Sequence, residues 1–213
     1  MRFGGPKQLV EIGTSTALDM AIAAAASVSD GVVVAAPPEM IPQLRRPGTA
    51  TVAGGATRAQ SVRRGLEAVP AQAEVILVHD AARPLATPAL FRRVVDALAA
   101  GEVAVVPVVP VVDSLKRLSE DGSLHSVPRE GMFAAQTPQG FRAQVLRSIH
   151  AEGIETTDDG GAAEAMGIRV ASVAELQARL EQYLAWVNTD PVPFRWRWRL
   201  ESADASPSQQ DAI

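Results

Sequence analysis

The sequence predicts a doubly wound α/β sheet carrying one projecting β-arm. Short strand-like runs alternate with longer helix-like segments along most of the chain, the pattern of a sheet wrapped by helices. One run, Val75-Ile76-Leu77-Val78, turns abruptly polar at His79-Asp80 and ends in Arg83-Pro84, as a fully buried strand of a parallel sheet would. Residues 113–129 form a long polar stretch containing Asp121-Gly122, a hairpin turn signal.

The elements follow in order. After a short opening with Leu9-Val10-Glu11-Ile12, the Ala-rich stretch 16–27 reads as a helix, and 31–36 reads as a strand stopped by Pro37-Pro38. A short strand is expected over 50–53, a turn at Gly54-Gly55 and a helix over 57–69, with Val62, Leu66 and Val69 on one face. Beyond the Val75–Val78 run, Thr87-Pro88 supplies an N-cap and first-turn proline for a helix to Ala100. Residues 102–112 read as a strand broken by Pro107 and Pro110, one that ends at an edge or leaves the sheet because proline donates nothing to a ladder. The arm then projects, and 131–135 return to the sheet. Helices are expected over 141–151, with Val145, Leu146 and Ile149 inward, and from Thr157-Asp158-Asp159 to Met166. Residues 168–171 read as a strand. Ser172 to Glu175 reads as a capping box opening a helix with the apolar stripe Val173, Leu176, Leu180, Leu184 and Val187. The expected organisation is one domain over 1–200, its arm at about 111–132, and a disordered polar tail over 201–213.

Composition narrows the function. The chain has 213 residues, 47% hydrophobic and 21% charged, enough for a packed core. A net charge of −4 argues against a nucleic-acid platform. The absence of cysteine excludes disulfides and Cys-ligated zinc and fits a cytoplasmic protein. The N-terminus lacks the apolar segment of a signal peptide, and no apolar run reaches the roughly 20 residues of a membrane span.

Four stretches carry chemistry. In Arg2-Phe3-Gly4-Gly5-Pro6-Lys7, two cations flank a Gly-Gly turn that lets backbone approach a phosphate; a solvated basic terminus is the bland alternative. Gly54-Gly55-Ala56-Thr57-Arg58 enters a helix, the form of an anion or nucleotide-base site, or of an ordinary strand–turn–helix. Asp80 falls at the carboxyl end of a strand, where ligands of open α/β sheets sit. A carboxylate there can hold Mg²⁺ that bridges phosphate oxygens, and Arg83 can pair with phosphate or with Asp80 itself. The fourth stretch is Gln136-Thr137-Pro138-Gln139-Gly140-Phe141, followed by Thr157-Asp158-Asp159. His79 is expected to orient Asp80 or simply to pack, and His125 and His150 read as surface residues. Lys116 on the arm reads equally as solvated or functional.

Taken together, GGATRAQSVRRGL, VHDAARPL, QTPQGF and TDD resemble the 2-C-methyl-D-erythritol 4-phosphate cytidylyltransferase family from Arg2 to about Val170. The resemblance implies a Rossmann-like nucleotidyltransferase fold of glycosyltransferase-A type and a homodimer joined through the arm. It implies transfer of CMP from CTP to a methylerythritol phosphate with Mg²⁺ and release of pyrophosphate. By the same resemblance Arg2 and Lys7 match the catalytic arginine and lysine on the triphosphate, and Asp80 matches the metal ligand. Gly54, Gly55, Ala56 and Ser61 match the segment that holds cytosine and ribose. Arg83, Ser114 (commonly threonine in the family), Arg129 and Thr157 match the acceptor side, with Arg129 reaching the neighbouring subunit's substrate. The nucleophile would be a phosphate with a second pKa of about 6, so the reaction needs positioning and charge neutralisation rather than a general base.

The match departs from the family at both ends. The family's opening strand and small-residue loop precede the arginine, whereas this sequence starts at Met1-Arg2; its C-terminal phosphate-facing lysine is absent here, where Lys7 and Lys116 are the two lysines. The expectation is a poorer enzyme than its relatives. Phe194-Arg195-Trp196-Arg197-Trp198-Arg199-Leu200 reads as an edge strand, an adventitious anionic surface or shifted-frame sequence. A pentitol-phosphate cytidylyltransferase and a catalytically impaired nucleotide-binding relative stay open as alternatives.

Overall fold

The computed structural model describes residues 6–174. The chain divides into Met1–Leu176 and Gln177–Ile213, and the described residues all lie in the first unit. Arg2, the helix stripe beyond Ala174, Phe194–Leu200 and the tail lie outside them.

A 3-10 turn, Lys7–Leu9, leads into a minimal hairpin of β1 (Glu11–Ile12) and β2 (Ser15–Thr16). Thr16 caps α1 (Ala17–Ala26) reciprocally with Asp19, as a capping box should. Then come β3 (Val32–Ala36), the short α2 (Ile41–Leu44), β4 (Thr49–Ala53) and α3 (Arg58–Ala68), the last capped by Thr57. After β5 (Val75–Val78), Thr87 caps α4 (Pro88–Ala99) with proline at its first position. β6 (Ala104–Pro110) hands over to the arm, β7 (Leu115–Leu118) and β8 (Leu124–Val127), before β9 (Phe133–Ala135), β10 (Gln139–Arg142), α5 (Ala143–Ala151), α6 (Asp159–Ala165) and β11 (Ala171–Ala174).

The main sheet runs β11-β6-β10-β5, with β9 also on β6, while β3 and β4 pair in parallel in a sheet of their own. β6 and β11 pair in parallel; β10 runs antiparallel to both β6 and β5, so β5, β6 and β11 point one way. Helices cover both faces because strand side chains alternate. Ile76, Ala104 and Phe141 face Leu66 of α3, Leu146 and Ile149 of α5 and Ala162 of α6. Val75, Leu77 and Val105 face Val94 and Leu98 of α4. That is the doubly wound α/β arrangement expected.

Several sequence expectations are corrected. β5 is not a fully buried parallel strand: its hydrogen-bonded partner is the antiparallel β10, and of its residues Ile76 alone is buried. β6 is not an edge. β11 lies on one side of it, and β10 followed by β9 on the other. Pro107 is tolerated because its carbonyl, accepting from Gln136 N–H at 2.8 Å, faces the gap where β10 gives way to β9. A residue's N–H and C=O point to the same side of a strand, so the missing donor falls where the ladder is already interrupted. Residues 139–142 form a strand, and the helix starts at Ala143. Ser172 opens no helix; it is paired with Val106 inside β11. The arm is the hairpin expected, with Gly122 at φ +82° in its turn.

Candidate active site

Three turns meet at the carboxyl end of β5. The first links β4 to α3. Gly54 N–H donates to Ala36 C=O at 2.7 Å, Gly55 N–H to Ser61 Oγ at 3.0 Å, and Ala56 N–H to Gln60 Oε1 at 3.0 Å. The turn therefore closes on side chains of its own helix. Glycine is required at 55, where a Cβ would stand 2.2 Å from Gln60 Cβ.

The second turn follows β5. Asp80 N–H donates to Thr137 Oγ1 at 3.2 Å, and Thr137 Oγ1 lies 2.9 Å from His79 Nδ1. His79 Nε2 lies 3.3 Å from the Arg83 carbonyl, which can only accept, so Nε2 carries the proton and Nδ1 accepts from the threonine hydroxyl. Burial pushes the imidazole pKa below its ordinary value, and the ring packs edge-on against Phe91 at 5.0 Å. With both nitrogens engaged and its ring packed on Phe91, His79 braces the turn. The Arg83 guanidinium also bonds Gln136 Oε1. Asp80 itself presents a part-exposed carboxylate, Oδ1 3.5 Å from Arg58 Nε and Oδ2 3.5 Å from Arg83 Nε.

The third turn opens α6. Asp158 caps it by accepting from Gly161 N–H at 2.8 Å, and its other oxygen accepts from Gln139 Nε2 at 2.7 Å. Gln139 is buried, and its Oε1 accepts from Gly160 N–H at 3.0 Å. Asp159 is 2% exposed and accepts from Arg58 Nη1 at 2.8 Å and His150 Nε2 at 2.8 Å. Burial alone would raise the Asp159 pKa, but the His150 hydrogen bond and the Arg58 charge outweigh it and hold the carboxyl below its ordinary value. His150 is thus a buried partner of Asp159 at 5% exposure, not the surface residue the sequence implied. His125 is exposed on the arm, as expected. Thr157 is exposed, one residue ahead of the Asp158 cap.

The arm carries a second group. Ser114 and Arg129 line one cleft of about 300 Å³ at its base together with Lys116 and Ser126, and Lys116 Nζ bonds Ser126 Oγ at 2.7 Å. The Arg129 guanidinium bonds the Val112 carbonyl. Lys7 begins the first 3-10 turn; Leu9 of that turn and Ala81, beside Asp80, pack on the same apolar cluster of Leu18, Ala36 and Leu44. That packing brings this end of the chain to the Asp80 turn.

A sequence model of the 2-C-methyl-D-erythritol 4-phosphate cytidylyltransferase family matches residues 1–180. The chain belongs to this family. A 2-C-methyl-D-erythritol 4-phosphate cytidylyltransferase of Frankia casuarinae is 46% identical over 151 residues, covering 68% of this chain and 57% of that protein. One of Rhodococcus jostii is 44% identical over 176 residues, covering 79% and 77%. The crystal structure of the Thermus thermophilus cytidylyltransferase superposes with a TM-score of 0.71 at 36% identity, covering 86% of this chain and 96% of that one. The chain thus spans little more than half of the Frankia cytidylyltransferase and about three quarters of the Rhodococcus one.

Of the expected residues, Gly54, Gly55, Ala56, Ser61, Asp80 and Arg83 gather around the β5 turn, and Ser114 with Arg129 at the arm. Arg58, Thr137, Gln139 and Asp159, which lie in the sequence motifs but carry no individual role there, tie the turns together. A signal for Arg58 was present: it is the first residue of α3, where a cation opposes the helix dipole. Such a placement implies compensating carboxylates. Among the described residues no three His, Cys, Asp or Glu side chains gather into a metal cage. Asp80 alone suits Mg²⁺, which is commonly held by one or two carboxylates plus substrate phosphates.

Proposed function

We propose that this chain transfers CMP from CTP to 2-C-methyl-D-erythritol 4-phosphate, giving the cytidine diphosphate adduct and pyrophosphate, in the cytoplasm and as a homodimer. The observation that supports it most is the convergence of the family's separate motifs on one hydrogen-bonded cluster around Asp80. An oxygen of the acceptor phosphate attacks the α-phosphorus, the α–β phosphoanhydride bond breaks, and pyrophosphate leaves. That nucleophile is already largely ionised at neutral pH, and His79, with both ring nitrogens engaged, is occupied in bracing the turn.

The turn at Gly54-Gly55-Ala56 and Ser61 takes the cytosine and ribose. Lys7 and Arg2 take the triphosphate, and Arg83 balances charge beside Asp80. Mg²⁺, held by Asp80 and the phosphates, supplies charge neutralisation when bound. Ser114, Arg129 and Thr157 hold the acceptor, with Arg129 serving the neighbouring subunit. The exposed apolar residues of the arm, Val112, Leu118 and Leu124, fit a dimer surface. The test is incubation with CTP, Mg²⁺ and a panel of sugar-alcohol phosphates. Methylerythritol phosphate should be consumed with stoichiometric pyrophosphate release. Preference for a pentitol phosphate would overturn the acceptor assignment, and no turnover with any acceptor would overturn the activity.

A further inference from the structure

Asp80 is not positioned by its own turn alone. Its Oδ1 faces Arg58 Nε at 3.5 Å, and the Nη1 of the same guanidinium is held at 2.8 Å by Asp159 Oδ2. The other Asp159 oxygen is held at 2.8 Å by His150 Nε2. Asp159 and His150 are both buried, at 2% and 5% exposure, whereas Asp80 is part exposed. Arg58 and Asp159 are the first residues of α3 and α6. Asp159 sits favourably at its helix N-terminus, Arg58 unfavourably at its own. Arg58 Nη2 is buried and has no hydrogen-bond partner in the structure, so that donor does not hold the guanidinium, and the anchoring comes through Nη1 and Asp159.

We propose that Asp159 is a positioning residue for the nucleotide–metal site: buried and braced by His150, it fixes the Arg58 guanidinium, and Arg58 fixes the direction in which Asp80 presents its carboxylate. A planar guanidinium holds two carboxylates at set angles, so securing its far side on an immobile anion transmits orientation to the near side. Groups behind a metal-bearing carboxylate act this way, and their loss costs roughly 10–100-fold in metal affinity or activity. The inference rests on the reading of Asp80 as the metal-bearing carboxylate of a CTP-dependent transfer.

The test is a double-mutant cycle of Asp159→Asn, Arg58→Gln and the pair, in the full chain. It is read by kcat, by KM for CTP, by thermal midpoint, and by direct binding of Mn²⁺ in the presence of CTP without acceptor. Each single variant should lower kcat and weaken Mn²⁺ binding by roughly tenfold or more, with KM for CTP little changed. The pair should be no worse than Arg58→Gln alone, because Asp159 acts through Arg58. Independent, multiplying losses would overturn the proposal, as would an Asp159→Asn protein whose midpoint falls while kcat and Mn²⁺ binding stay at the parental level. Should Asp159→Asn fail to fold, His150→Asn replaces it in the cycle. A smaller loss of Mn²⁺ binding that disappears in the Arg58→Gln background supports the relay, and a loss that persists there overturns it. A parent protein that binds Mn²⁺ with CTP but turns over no acceptor would contradict the proposed reaction, and the binding arm would still decide the relay.

Discussion

Arg58 and Asp159 stand 101 residues apart in sequence, and their side chains meet at 2.8 Å between the N-termini of α3 and α6. Burial works against the Arg58 charge, yet Asp159 and Asp80 together hold its pKa above the ordinary value. One cation thus joins the Gly54-Gly55 turn, the Asp80 turn and the α6 turn. Thr137 and Gln139 complete the circuit from the other side, through Asp80 N–H and the Asp158 carboxylate. A ring of charge-assisted and neutral hydrogen bonds leaves little freedom to any one turn.

Asp80→Asn should abolish nearly all metal-dependent turnover, a fall on the order of 10² or more, while leaving the fold intact. The carboxylate is part exposed and its ion pairs are long at 3.5 Å, so its removal costs the fold little. Steady-state rates with Mg²⁺ and a thermal melt check both halves. Parental turnover by the Asn protein would end the metal assignment.

Two glycines should separate stability from binding. A Cβ at Gly140 would stand 2.3 Å from Val94 Cγ1 and 3.0 Å from both Leu77 and Leu98 side chains in the sheet–α4 core. Gly140→Ala should therefore destabilise by about 1–3 kcal/mol. Gly55→Ala instead drives its Cβ into Gln60 at the surface turn. Its thermal midpoint should fall as well, because Gln60 Cβ and backbone must give way, but KM for CTP should rise in this variant alone. Urea titrations and CTP saturation curves distinguish the two.

The helices were legible because their start signals are local: Thr16, Thr57 and Thr87 each accept a hydrogen bond from the backbone three residues on. The residues around the Asp80 turn were legible because motif order carries them. What stayed hidden was pairing across long separations. Nothing local marks Gln139–Arg142 as a strand laid antiparallel between β5 and β6, and a short apolar run reads alike as strand or helix start. His150 misled for the same reason: a histidine in the last turn of an amphipathic helix reads as exposed until Asp159, nine residues on, folds back onto it.

Asp159 predicts an acid-limited stability. Its folded pKa lies below the unfolded carboxylate value of about 3.9. The stability it contributes is present in full above that unfolded value and is lost as the pH falls through the lower folded one. Urea denaturation at about pH 5 should show the parent more stable than Asp159→Asn. The difference should shrink on further acidification, since the asparagine does not titrate. A difference that grows toward acid would reverse the assigned direction.

The arm predicts a shared site. Leu118 and Leu124 are cross-strand partners on the β7–β8 hairpin, both more than half exposed at 68% and 64%, and Val112 at the arm's base is 70% exposed. Apolar side chains presented this way on a two-stranded ribbon, which is at best marginally stable alone, call for a covering surface. If a second copy provides it, the Ser114–Arg129 cleft of one subunit serves the acceptor beside the other subunit's Lys7 and Asp80. Arg129→Ala and Lys7→Ala proteins should each be nearly inactive. Mixed under conditions that exchange subunits, they should regain activity, because a hybrid dimer contains one site with both side chains intact. Mixing in equal amounts makes about half of the dimers hybrid by random pairing, so the recovered rate should approach a quarter of the parental one. Exchange is followed independently by fluorescence transfer between labelled subunits. Full exchange without recovery would place Arg129 and Lys7 in the same subunit's site.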